Sequence, residues 1–134
     1  MSRADFTFCH RFRVRYAEGD AQAIVFNSRY LEYADLVLTE YWRALGVNAV
    51  TPPFEVNVVR ALVEYKKPIR VDEEIDGCIR TARIGSSSLT TLFELHGAGA
   101  DDLRAAIETV HVHVDLAAGK SRPIPANVRR MFGG

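Results

Sequence analysis

Hydrophobic and polar positions alternate from Phe6 to Tyr16. Phe6, Phe8, His10, Phe12, Val14 and Tyr16 share one face, and Arg11, Arg13 and Arg15 take the other. That period of two predicts a strand with one buried face. From Asn27 to Leu45 the period changes. Tyr30, Ala34, Val37, Tyr41 and Leu45 recur at helical spacing, and Leu31, Leu38 and Trp42 widen the stripe. Glu32, Asp35, Thr39 and Arg43 form a narrow polar stripe opposite. So broad an apolar arc predicts a helix covered on most sides. Asn27 or Ser28 can cap its start, and Gly46 suits a left-handed stop beyond its end.

Thr51-Pro52-Pro53 breaks the chain, and strand patterns follow. They cover Phe54 to Tyr65, Glu74 to Arg83, Leu89 to Leu95, and Arg104 to Leu116 through Val110, Val112 and Val114. Pro125 to Phe132 reads as a short terminal helix. The short turns between the late strands favour antiparallel pairing, because parallel neighbours need long crossovers. One long apolar helix and about five antiparallel strands predict an α+β layer fold, with the sheet wrapped on the helix.

Composition narrows the function classes. The 134 residues suffice for one core, so a single domain over 1–134 is expected. Lys+Arg and Asp+Glu are 17 each, giving no net charge, which argues against a dedicated nucleic-acid binder. No apolar run approaches the length of a membrane span, and Met1 to Phe8 contains no apolar signal core, so neither membrane insertion nor secretion is expected. Cys9 and Cys78 are expected to be free thiols rather than a bridge, and the location cytoplasmic.

The familiar catalytic motifs are missing: no G-x-S-x-G, no G-x-x-x-x-G-K-[ST] and no G-x-G-x-x-G occurs. His111-Val112-His113 puts two imidazoles on one strand face. With no third ligand near in sequence, they are expected to be an outward pair and not a metal site. His10 and His96 are likewise expected on strand faces. The segment Arg15 to Asn27 is more informative. A basic strand ends, an acidic loop follows, then apolar Ala23-Ile24-Val25-Phe26, then a helix start. Burying that apolar run would bring Asp20 in with it, beside the free N–H groups and positive dipole end of the helix. A carboxylate next to an oxyanion-stabilising helix start is a workable arrangement for acyl transfer.

Val14 to Leu31, with Asp20, Ala23-Ile24-Val25-Phe26 and Asn27-Ser28-Arg29-Tyr30-Leu31, resembles the opening motif of the hotdog-fold acyl-CoA thioesterases of the 4-hydroxybenzoyl-CoA thioesterase type. Glu40 to Gly46, Tyr65 to Ile69 and Arg83 to Leu89 resemble later motifs of that family. The resemblance implies a five-stranded antiparallel sheet wrapped around one central helix. It implies hydrolysis of an acyl- or aroyl-CoA, with no cofactor or metal. Asp20 would be nucleophile or general base, and the Asn27 main-chain N–H would polarise the thioester carbonyl. Ala23, Val25, Phe26 and Tyr30 would line the substrate. Lys66, Lys67, Arg70 and Arg83 would meet the CoA phosphates, with Ser86, Ser87 and Ser88 as further donors. It also implies a homodimer or homotetramer with the site between subunits. Two features depart from the family: Ala23 replaces a usual Gly, and no His stands at the helix start. Glu40, in the place of a helix carboxylate used by some relatives, is expected to make an ion pair instead. The alternatives are non-catalytic binding of an acyl-CoA or an acyl carrier protein, and a hydratase or dehydratase.

Overall fold

The computed structural model describes residues 2–47 and 55–133. The Thr51-Pro52-Pro53 break and Phe54 lie outside them. The elements are β1 (Phe8–Arg13), α1 (Tyr30–Leu45), β2 (Val56–Tyr65), β3 (Glu74–Ile84), β4 (Ser88–Gly97), β5 (Leu103–Asp115), β6 (Lys120–Ser121) and α2 (Ala126–Met131). The sheet order is β1-β3-β4-β5-β2, with every pair antiparallel, and the short β6 adds to β5. The sheet curls around α1, the hotdog arrangement.

α1 forms where the apolar period is helical. Tyr30, Tyr33, Ala34, Val37, Leu38, Tyr41 and Trp42 are buried. Gly46 ends it with φ 92°, and its N–H bonds back to Arg43. Close approach of α1 to the sheet depends on Gly77, because a Cβ there would sit 2.3 Å from the Val37 side chain. The arc is not fully covered: Leu31 is 41% and Leu36 39% exposed. No side chain caps the start. The polypeptide enters α1 through a 3-10 turn over Asn27–Arg29 instead. Glu40 is ion-paired with Arg43 at 2.6 Å, as expected.

Three sequence expectations change. β1 is shorter than the alternating run, and Tyr16 leaves it for a 3-10 turn where it is 89% exposed. His111 and His113 point inward, at 5% and 3% exposure, and are not an outward pair. The register sets Ile107 opposite Phe93 and His111 opposite Leu89, so odd-numbered residues of β5 face the core. The third change concerns the cysteines. Cys9 and Cys78 are direct cross-strand partners in β1 and β3 and form a disulfide. Free thiols therefore no longer argue for a reducing compartment. Among the described residues no helix is long and apolar enough to cross a membrane.

Candidate active site at the start of the long helix

The loop between β1 and α1 is a compact structure built on its own backbone. Gly19 and Val25 form an antiparallel bridge, and Ile24 forms another with Arg70. The Asp20 N–H donates to the Ile24 carbonyl at 2.8 Å, and the Val25 N–H to the Ile69 carbonyl at 2.8 Å. Val25 is thereby drawn into the core, at 4% exposure. Gly19 is required by space, since a Cβ there would lie 2.3 Å from the Val71 side chain. Ala23 turns the chain at φ 60°, the left-handed region that glycine fills without strain. The glycine of the family motif thus answers a backbone requirement.

Burial of the loop takes in Glu18 and leaves Asp20 exposed, which corrects the expectation that Asp20 would be carried inward. Glu18 is 6% exposed. It accepts from the Arg15 N–H at 2.7 Å, the Arg15 guanidinium at 2.9 Å and the Tyr33 hydroxyl at 3.0 Å. Burial pushes its carboxyl up, but these bonds outweigh burial and hold it below the usual carboxylate range. Burial and the bond to Glu18 push the Tyr33 hydroxyl well above its usual range. Glu18 is therefore a structural brace. Asp20 has a different environment. Its Oδ1 accepts from the Gln22 N–H at 2.8 Å and the Ile24 N–H at 3.3 Å. Both bonds fall on one oxygen, which orients the carboxylate on an exposed residue.

Beside this loop a cavity of about 270 Å³ opens at the helix start, lined by Ile24, Val25, Asn27, Tyr30, Tyr65 and the segment Lys66 to Pro68. The first N–H groups of a helix have no intrahelical acceptor, so the Asn27 end offers donors and a positive dipole to the cavity. Two tyrosines shape it. The Tyr65 hydroxyl donates to the Asn27 carbonyl at 3.0 Å, and its ring meets Tyr30 edge-on at 4.8 Å. Burial pushes the Tyr30 hydroxyl up.

The opposite wall is held by residues that sequence reasoning missed. Arg104, 9% exposed, grips Glu73 at 2.8 and 2.6 Å and Asp102 at 2.8 Å, and donates to the Pro68 carbonyl at 2.9 Å. The Arg104 carbonyl accepts from the Lys66 and Lys67 N–H groups. Bonds from Arg104 and then Lys67 hold the Asp102 carboxyl down to about 2. Arg104 and Glu73, or Lys67 and Asp102, lie too far apart along the chain to leave a local pattern to read.

The remaining sequence candidates fall in two groups. Lys66 and Lys67 are exposed and line the cavity, Arg70 is exposed but does not line it, and Lys67 is ion-paired with Asp102 at 2.6 Å. Ala23 and Phe26 are exposed and do not line it. Arg83, Ser86, Ser87 and Ser88 lie at the far end of the sheet. Tyr65 pairs with Ala105 and Ser88 with Val112, positions roughly 23 Å apart along β5 at about 3.3 Å per residue. Within one subunit these groups do not meet. The Ser86 and Ser87 carbonyls accept from the Ile124 and His113 N–H groups, which fixes that turn.

Known proteins bear on this geometry. A thioesterase from Thermus thermophilus, complexed with coenzyme A and Zn, superimposes with a TM-score of 0.83 at 24% identity, covering 96% of this chain and 99% of that one. A 1,4-dihydroxy-2-naphthoyl-CoA thioesterase from Synechocystis gives 0.84 at 17% identity, covering 93% and 94%. At such identities the likeness speaks for the fold. A protein of Aquifex aeolicus (strain VF5) with a provisional esterase name is 36% identical over 69 residues, and the match spans about half of each, 49% of this chain and 54% of the other. Residues 14–132, from the end of β1 through α2, match the thioesterase-like superfamily, and it is to this family that the chain belongs.

Proposed function

We propose that the protein hydrolyses an acyl- or aroyl-CoA to the free acid and CoA, working as a homodimer or homotetramer. The observation that carries this reading is the cavity at the helix start, where the Asn27 amide end, two tyrosines and exposed lysines converge; Asp20 is held in the same loop by its bonds to the Gln22 and Ile24 N–H groups, though it does not itself line the cavity. A thioester carbonyl placed against the Asn27 N–H would have its developing negative charge met by that donor and by the helix dipole. Asp20 Oδ2 would attack the carbonyl carbon, expelling CoA thiolate and leaving an acyl-carboxylate anhydride for water to cleave. Equally, it would take the proton of a water that attacks directly. In both routes the thiolate leaves and is protonated from solvent.

Lys66 and Arg70 suit the CoA phosphates as point charge and fork. Arg83 and Ser86 to Ser88 would join them only from a partner subunit, because one subunit holds them far apart. A cytoplasmic location follows from the CoA-type substrate. Ala23 does not line the cavity, which supports the catalytic reading over non-catalytic binding. No histidine lines the cavity to serve a hydratase.

The test is thiol release from a panel of acyl- and aroyl-CoAs by wild type and Asp20→Asn. Turnover lost by at least about a hundredfold in the variant, with CoA affinity kept, supports the mechanism. Equal, slow rates in both proteins overturn it, and retained CoA binding would then favour the non-catalytic reading.

A further inference from the structure

We propose that the Cys9–Cys78 disulfide is a thiol-exchange site, taking a small-molecule thiol onto Cys9 and releasing Cys78 as the internal leaving group. The two sulfurs are unequal. Cys9 lies exposed on β1, the edge strand, whereas Cys78 is 0% exposed on β3. An incoming thiolate therefore reaches only Cys9.

The buried sulfur has an acid–base neighbour. Glu94 is the direct cross-strand partner of Cys78 on its other side, in β4. Directly opposite residues project to the same face with Cβ atoms about 5 Å apart. Glu94 is 6% and His96 1% exposed, and they share a 2.8 Å hydrogen bond between Oε1 and Nε2. This pair lies on the outer face of the sheet, away from the helix-start cavity. It is not sealed. A pocket of about 170 Å³ between Phe6, Leu62, Leu92, Glu94, Ala106 and Glu108 opens Glu94 to protons from solvent.

The chemistry balances without an external oxidant. The thiolate R–S⁻ attacks Cys9 Sγ, an S–S bond forms there, the Cys9–Cys78 bond breaks, and its electron pair goes to Cys78 Sγ. A buried thiolate facing a carboxylate is unfavourable, so a proton must arrive. The Glu94–His96 pair delivers it, replenished by the proton lost from R–SH. The sum is R–SH plus the protein disulfide giving R–S–S–Cys9 and Cys78–SH. Two thiol sources share this chemistry: a glutathione-type tripeptide, and the CoA released by the proposed hydrolysis. Only the second source rests on that proposal. Free CoA can be supplied directly, so the two ideas fail independently.

The test incubates the full oxidised chain anaerobically with glutathione or, separately, with CoA, then alkylates and maps peptides by mass spectrometry. The expected product carries the small thiol on Cys9 and the alkyl group on Cys78. Glu94→Gln should slow its appearance about tenfold or more. His96→Gln is a second variant should Glu94→Gln misfold. Reaction with both thiols marks a general site, and reaction with CoA alone marks a product-fed one. Alkylation of both cysteines before any thiol is added overturns the proposal. So does an adduct on Cys78, no adduct with either thiol, or a folded variant that exchanges at the wild-type rate.

Discussion

The Tyr65 hydroxyl donates to the main-chain carbonyl of Asn27 at 3.0 Å, tying the end of β2 to the first turn before α1. The bond fixes the peptide whose neighbouring N–H is proposed to meet the thioester. Tyr65 is 54% exposed, so Tyr65→Phe should cost less than about 1 kcal/mol of stability. A loosened donor affects the transition state more than substrate binding. The expected result is a kcat lowered roughly three- to tenfold with KM nearly unchanged, read by steady-state thiol release. Unchanged kcat would show that the helix start needs no such tether.

Ala23 holds φ 60° with its side chain exposed. An L-residue in that region carries roughly 1–2 kcal/mol of strain. Glycine removes the strain but gains freedom in the unfolded chain, which offsets part of it. Ala23→Gly should therefore stabilise by up to about 1 kcal/mol, a rise of roughly 3 °C in Tm. Calorimetry checks this, and a lower Tm would mean the loop conformation differs.

On the outer face, Asp76 is 2% exposed and takes bonds from Arg11, the Gly99 N–H and Arg3. The Arg11 bond leads in holding its carboxyl well below the ordinary 3.8, against burial, which pushes it up. Its folded pKa is depressed, so the unfolded chain takes up the proton first on acidification. The stabilisation is fully present above the unfolded value and is lost as pH falls toward the folded one. Asp76→Asn should be less stable at neutral pH, because the buried acceptor loses the charge that the exposed Arg11, the partly exposed Arg3 and the Gly99 N–H bond to. The gap to wild type should narrow below about pH 4. Urea midpoints at neutral pH and near pH 3 decide it; a constant gap would mean that the carboxylate charge contributes nothing.

α1 was legible because its apolar period and the Gly46 stop both act locally. The parity of β5 was not. Val110, Val112 and Val114 look like an inward row, yet Ala105 and Ile107 set the alternation and send His111 and His113 to the core. A one-residue shift exchanges the faces of a strand, and register is fixed by neighbours distant in sequence. The same cause hid the Cys9–Cys78 pairing and the Arg104–Glu73 bridge. At the candidate site, the motif pointed to the loop before α1, where the structure has a 3-10 turn over Asn27–Arg29 and the helix from Tyr30. It could not tell which acidic residue the bridge between Gly19 and Val25 would turn inward, and that residue is Glu18.

β2 bears on the working unit. Among the described residues it is the last strand of the sheet, pairing only with β5, and it exposes Val58 at 54%, Val59 at 61% and Leu62 at 44%. An apolar edge with open backbone donors and acceptors associates unless it is covered. The proposed dimer would cover it, and the helix-start cavity ends on the same strand at Tyr65. Val59→Lys places a charge on that edge without disturbing the core. Sedimentation should show wild type as a dimer or larger and the variant shifted to monomer. Thiol release should fall in parallel, because a site shared between subunits is incomplete in one. A monomeric wild type with full activity would remove the dimer from the mechanism, and a monomeric variant with full activity would confine the site to a single subunit.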